Sequence, residues 1–157
     1  MEYIENITYD ELNIGDKAST ERTLTEKDLI LFAAVSGDVN PVHLDADYAA
    51  KTPFKQCIGH GIWSASLISA TLATVLPGLG TIYLGQNLQF LRPVLVGDRL
   101  KIEVEVARKK DANKSVRLKC LVTNQNGKRV VTGTADVLAP LEKINIKRPV
   151  LPEINVC

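Results

Sequence analysis

The sequence predicts an α+β fold in which an antiparallel sheet wraps around one long buried helix. Three observations carry that expectation. Residues Gly61 to Leu76 are apolar or small on nearly every face, as in a helix enclosed on all sides rather than laid on a surface. From residue 100 the pattern changes to a period of two. Leu100, Ile102, Val104 and Val106 alternate with Lys101, Glu103 and Glu105, and Val116, Leu118, Cys120 and Val122 surround Arg117 and Lys119. Such alternation describes strands with one wet face, the antiparallel signature. Finally, one apolar helix followed by a run of strands leaves a sheet curved over that helix as the economical arrangement.

Each element has its own signal. Residues 17–24 suit a strand leading into a helix. Thr25, with Asp28 three positions on, is a variant of the capping box. Leu29, Phe32, Ala33 and Ser36 then mark one helical face, and Gly37 ends it. Residues 37–44 read as a polar loop, because Pro41 disfavours helix at Asn40. Ala46 to Lys51 follows as a short helix and residues 52–61 as a second loop. Pro77-Gly78 stops the apolar helix. Asp111 to Lys114 makes a loose turn, and Asn126-Gly127 is a tight-hairpin signal into a strand over 129–138. The tail 140–157 holds Pro140, Pro149 and Pro152 without periodicity, so it reads as a surface extension or linker beyond a domain of residues 1–139.

Composition excludes several functions. The 157 residues fit a single domain. A formal net charge of +1 lacks the basic surplus that a non-specific nucleic-acid binder needs. The acidic start MEYIENITYDELNIGDK is unlike an export signal. The apolar helix carries Ser64, Ser66, Ser69, Thr71 and Thr74 and falls short of the ~20 residues needed to span a bilayer. Cys57, Cys120 and Cys157 show no paired zinc-ligand spacing. A cytoplasmic protein with reduced thiols, no metal and no membrane partner is the expectation.

Two segments could carry chemistry. The loop S-G-D-V-N-P-V-H-L holds Asp38, Asn40 and His43 on a turn stiffened by Pro41. A carboxylate and an imidazole held this way can share one water molecule as base and acid. The plain alternative is a solvated loop, and residue types alone favour it, since Asp, Asn, Gly and Pro are ordinary loop residues. The second segment, I-G-H-G-I-W, lies at the mouth of the apolar helix. The free N–H groups of a helix's first turn suit a developing oxyanion. Again the plain alternative, glycines that shape a turn, comes first when the segment is taken alone.

Three stretches together change that balance. F-A-A-V-S-G-D-V-N-P-V-H-L-D (32–45), P-F-K-Q-C-I-G-H-G-I (53–62) and I-Y-L-G-Q-N-L-Q-F-L-R-P-V-L-V-G-D (82–98) closely resemble the MaoC-like (R)-specific enoyl-CoA hydratases, especially the short enzymes that feed polyhydroxyalkanoate synthesis. The likeness runs from about Gly15 to Ala139. It implies the hot-dog fold, a homodimer, an acyl-CoA thioester as substrate and no cofactor beyond the coenzyme A that the substrate carries. By position it implies that Asp38 and His43 are the catalytic dyad and that the N–H of Gly61 receives the thioester oxygen. It also implies that Asn40 orders the loop, that Ser69 lies near the acyl pocket and that His60 orients the loop. Ile58 and Trp63 would shorten the pocket. Cys57, Gly59 and Trp63 depart from the residues common in the family.

Other readings within the fold family are a thioesterase or a carrier-protein dehydratase, but both usually place an acid on the long helix, and 61–76 has none. A non-catalytic acyl-binding module would have no use for an intact Asp38 and His43. The opening residues and Trp63 also resemble the hydratase half of bifunctional hydratase/phosphate acyltransferase proteins. No Asp, Glu, Lys or Arg occurs from Gln56 to Leu91, a neutral lining suited to an apolar enoyl chain. Arg92, Arg99, Arg108, Lys109, Lys110 and Lys114 are candidate phosphate ligands for coenzyme A.

Overall fold

A computed structural model describes residues 2–157. The chain forms β1 (Tyr3–Glu5), β2 (Lys17–Thr23), α1 (Glu26–Ser36), α2 (Pro41–Leu44), α3 (Ala46–Ala50), α4 (Gly61–Thr74), β3 (Ile82–Phe90), β4 (Arg99–Lys110), β5 (Ser115–Thr123), β6 (Arg129–Leu138) and β7 (Asn145–Lys147). The five long strands make one antiparallel sheet in the order β2-β4-β5-β6-β3. This sheet curves over α4, which is the hot-dog arrangement.

The period-two segments behave as expected. Leu100, Ile102, Val104, Val106, Val116, Leu118 and Val122 all point inward and are buried, meeting Ile68 and Leu72 of α4 in one core. Thr71, a buried polar residue on α4, is satisfied by the Leu67 carbonyl at 2.9 Å and the Thr20 hydroxyl of β2 at 2.7 Å. A bonded hydroxyl can be enclosed at little cost, whereas an orphaned one cannot.

The α4 helix is not buried all round. Trp63, Ser64, Ala65, Ile68, Thr71 and Leu72 are covered, but Ile62, Ser66, Ala70 and Ala73 are exposed, Ile62 at 59%. The single sheet covers one side of the helix only. The edge strand β3 also leaves Ile82 and Leu84 open.

Both boundaries of α1 follow the sequence signal. Thr25 accepts from the Asp28 N–H, the Asp28 carboxylate accepts from Thr25 in return, and Gly37 ends the helix in the left-handed conformation at φ 78°. Two local elements differ from expectation. The loop over 37–44 contains a helical turn, α2, because Pro41 sits at its first position, where its missing N–H is no loss, and the Asn40 side chain caps it through Val42 N–H at 3.2 Å. The tail is also more structured than its proline content suggests. Its β7 pairs antiparallel with β1, and Asn6 ties both termini together by donating to Leu79 and Glu142 and accepting from Ile144. Strands of three residues carry too little periodicity to be read from sequence.

Candidate active site

Gly37 ends α1 and turns the chain outward, which places Asp38 at the start of a tight loop. The Asp38 N–H donates to the Ser36 hydroxyl at 3.1 Å, and the Asp38 carboxylate accepts from the Asn40 N–H at 3.2 Å. With Asn40 capping α2, these bonds make a series of local turns that fixes where Asp38 and His43 emerge. Asn40, expected to order the loop, makes its contacts here within the loop and at the start of α2. Asn40 donates no side-chain bond into the site.

His43 projects from α2 and is buried. Its Nδ1 lies 2.8 Å from the Ile58 carbonyl oxygen. A carbonyl only accepts, so Nδ1 carries the proton and Nε2 presents a lone pair. That Nε2 faces the Asp38 carboxylate at 3.7 Å, and the Asp38 side chain remains 48% exposed. The two atoms are therefore acceptors aimed at a shared space open to solvent. Ile58 thus contributes its backbone carbonyl, which sets the tautomer of His43, as well as a side chain in the cavity wall.

His60, the residue just before α4, packs against this pair. Its ring stacks on His43 with centroids 3.8 Å apart and planes at 23°, and Phe32 closes on it at 5.0 Å. Its Nε2 is 3.0 Å from the Asp38 carbonyl oxygen. Gly61 then opens α4, and its N–H has no acceptor among the described residues. A methyl group at Gly61 would touch the Phe90 ring at 3.5 Å and narrow the mouth of the site. At Gly59 the constraint is tighter, because a Cβ would lie 3.0 Å from Leu24 Cδ2.

Two cavities meet at this helix start. One, of about 290 Å³, is lined by His43, Ile58, Gly61, Phe54 and Phe90, with Arg92 as its only cation. The other, of about 490 Å³, is lined by Asp38, His60, Gly61, Phe32, Ile62 and Phe90. A third cavity of about 440 Å³ continues from Phe32 and Ile62 along α4 to Ser69. Ser69 thus lines this third cavity, which neither Asp38 nor His43 lines. Trp63 lines none of the three. It is 5% exposed and sits in the core, so its placement gives no support to the expected shortening of the pocket. Phe32 and Phe90 line the site without having been singled out from sequence. One falls on the apolar face of α1 and the other at the end of a strand, positions where an aromatic residue ordinarily means core.

Asp38, His43 and His60 place one potential ligand atom each within 4.8 Å of one another. The ring nitrogens Nδ1 of His43 and Nε2 of His60 already face carbonyl oxygens, and the two rings lie face to face instead of converging on a point. A metal ligand must aim its in-plane lone pair at the ion from about 2.0–2.1 Å, which this stacked pair does not do.

A model of the MaoC like domain matches residues 11–128. The chain belongs to the MaoC-like family. Among curated relatives, an (R)-specific enoyl-CoA hydratase of Rhodospirillum rubrum is 42% identical over 134 residues, covering 84% of this chain and 91% of the relative. An enzyme of the same name from Aeromonas caviae is 43% identical over 129 residues, covering 82% and 96%. Among solved structures, the unliganded R-hydratase PhaJ1 of Pseudomonas aeruginosa superposes with a TM-score of 0.95 at 54% identity, over 99% of this chain and 100% of that one. This MaoC-like chain therefore shares both sequence and architecture with enzymes of one hydro-lyase type. Among the described residues no helix is long and apolar enough to cross a membrane.

Proposed function

We propose that the protein is an (R)-specific enoyl-CoA hydratase, which adds water reversibly to a short-chain trans-2-enoyl-CoA to give the (R)-3-hydroxyacyl-CoA. One observation carries this reading. The Asp38 carboxylate and His43 Nε2 lie 3.7 Å apart, and each lines one of the two cavities that meet at Gly61, whose N–H has no acceptor among the described residues. Acid/base groups beside an oxyanion donor are the minimum for chemistry beta to a carbonyl.

The geometry suggests the steps. A water bound between Asp38 and His43 donates one hydrogen to each acceptor, leaving its oxygen lone pair free toward the substrate. As that oxygen bonds to C3, the pair takes a proton from the water. The π electrons of the C2–C3 bond move toward the thioester oxygen, which receives the Gly61 N–H. The pair then returns a proton to C2, so the elements of water are added with none left over. The roles of base and acid belong to Asp38 and His43 jointly. No metal or redox group takes part in this scheme, since the thioester itself stabilises the enolate.

The walls fit such a substrate. Phe32, Ile62 and Ala65 lead an apolar chain from the dyad toward Ser69. Arg92, held by the Arg129 carbonyl at 2.8 Å, is the cation nearest the opening for coenzyme A phosphates. β3 is an edge strand of the sheet and α4 leaves Ile62 open, and a second copy pairing along that edge would cover it. The test is incubation with crotonyl-CoA, followed by loss of enoyl absorbance and chiral analysis of the product. (R)-3-hydroxybutyryl-CoA is expected. No turnover, or the (S) product, would overturn the assignment. Sedimentation of the native protein should give twice the chain mass.

A further inference from the structure

We propose that His60 is the positioning residue of the dyad, a single imidazole that holds both Asp38 and His43. Its Nε2 lies 3.0 Å from the Asp38 carbonyl oxygen, so that nitrogen must carry the proton. Its ring face lies on His43, with centroids 3.8 Å apart. One side chain thereby fixes the backbone from which Asp38 projects and the plane in which His43 turns. Phe32 packs on the same ring and limits its movement.

Two features argue that stability is not the reason for a histidine here. His60 is 3% exposed, and its Nδ1 is buried without a hydrogen-bond partner among the described residues, a liability in a folded protein. His60 also occupies the N-cap position of α4 yet makes no capping bond, although Ser, Thr, Asp or Asn at that position would cap the helix. A ring that leaves one nitrogen orphaned and the helix uncapped is held there for its effect on Asp38 and His43. Because His60 acts through the dyad and not on the substrate, its removal should reduce turnover more than binding.

The kinetic part of this inference rests on the hydratase reading, and the spectroscopic part does not. His60→Phe keeps a ring against His43, removes the donor to Asp38 and removes the orphan nitrogen. We expect kcat for crotonyl-CoA to fall by about tenfold or more, the scale of a small misplacement of reacting groups. KM should stay within about threefold and the urea midpoint should be unchanged or higher. His60→Gln, which can still donate to the Asp38 carbonyl, should recover part of kcat. A His60→Phe variant with kcat within about twofold of wild type would overturn the inference, as would loss of activity only in step with loss of stability. The chain has two histidines, so nitrogen-15 NMR of wild type and His60→Phe assigns both rings. His60 should carry its proton on Nε2, and a proton on Nδ1 would refute the assignment whether or not crotonyl-CoA is a substrate.

Discussion

The sheet half and the loop half of this molecule are built by opposite rules. Across β4, β5 and β6 the inward residues are aliphatic apart from Cys120, with Leu118 and Val122 at 0% exposure. Between Gly37 and Gly61, two imidazoles are buried, a carboxylate stands half in solvent, and one ring nitrogen has no partner among the described residues. Stability accumulates where packing is uniform, and reactive groups collect where local satisfaction is incomplete. Substitutions in one half should therefore leave the property of the other half alone, and that separation can be measured.

The strongest test lies in the loop half. Asp38→Asn and His43→Gln should each lower crotonyl-CoA hydration by about 10²–10⁴-fold, the range for loss of a general acid or base. Thermal midpoints should stay close to wild type, because Asp38 is exposed and its Asn40 contact needs only an acceptor oxygen. Turnover near wild type in either variant would remove the dyad from the mechanism. A large fall in the melting temperature would instead mean that the two halves are not separable.

Gly133 tests the seam between them. It lies in β6 opposite Leu88 of β3, with φ +155°, and a Cβ there would come within 2.0 Å of the Asn87 carbonyl oxygen. No side chain relieves a clash with backbone, so Gly133→Ala must part β3 from β6. A loss of about 4 kcal/mol or more is expected, in the exceptional class for a single substitution, read from urea unfolding. Since Phe90 of β3 lines the dyad cavities, activity should fall as well. A fully folded and fully active variant would show that the strand can shift at little cost.

The site and the fold differed in how far the sequence revealed them. Strict alternation exposed β4 and β5, because one face of each strand is core, and the Asn126-Gly127 turn marked the start of β6. Thr25, Asp28 and Gly37 marked α1, since a cap is a local bond between near neighbours. The pairing of β1 with β7 escaped, because its stability comes from Asn6 reaching residues more than seventy positions away. Asp38 and His43 stood out from the sequence as a candidate pair, but the stack of His60 on His43 did not. Two rings seventeen positions apart meet only because the Ile58 carbonyl and the start of α4 converge. Trp63 is a related case. On a helix apolar all round, nothing in the sequence says which face meets the sheet and which meets the ligand.

Within the sheet half, Ile68→Ala should show the simpler behaviour. The side chain is fully buried on α4, and truncation of such a residue costs about 2–5 kcal/mol. The thermal midpoint should drop while KM and kcat at 25 °C change by less than about threefold, provided that the protein remains folded. A specific loss of kcat at full folding would mean that the interior of α4 transmits its packing to Gly61.

The smallest expected effect examines where the boundary runs along α1. The helix ends at Gly37, next to Asp38, yet its other end is anchored by Asp28, which lies outside the site. Burial pushes the Asp28 carboxyl up, but donors from the Thr25 backbone and hydroxyl, together with Arg22 at 2.7 Å, outweigh it and hold the group below its ordinary value. A carboxyl lowered on folding stabilises the native state above its unfolded pKa of about 3.9, and that contribution disappears as pH falls through the lower folded value. Asp28→Asn should therefore be less stable than wild type by about 1 kcal/mol at pH 7, and the gap should close below about pH 4. Urea titrations at pH 7, 5, 3 and 2 would measure it, and a gap constant across that range would mean that the charge of Asp28 contributes nothing. Turnover at pH 7 should be unchanged. If it falls instead, the start of α1 governs the placement of Asp38, and the loop half begins a full helix earlier than its polar residues suggest.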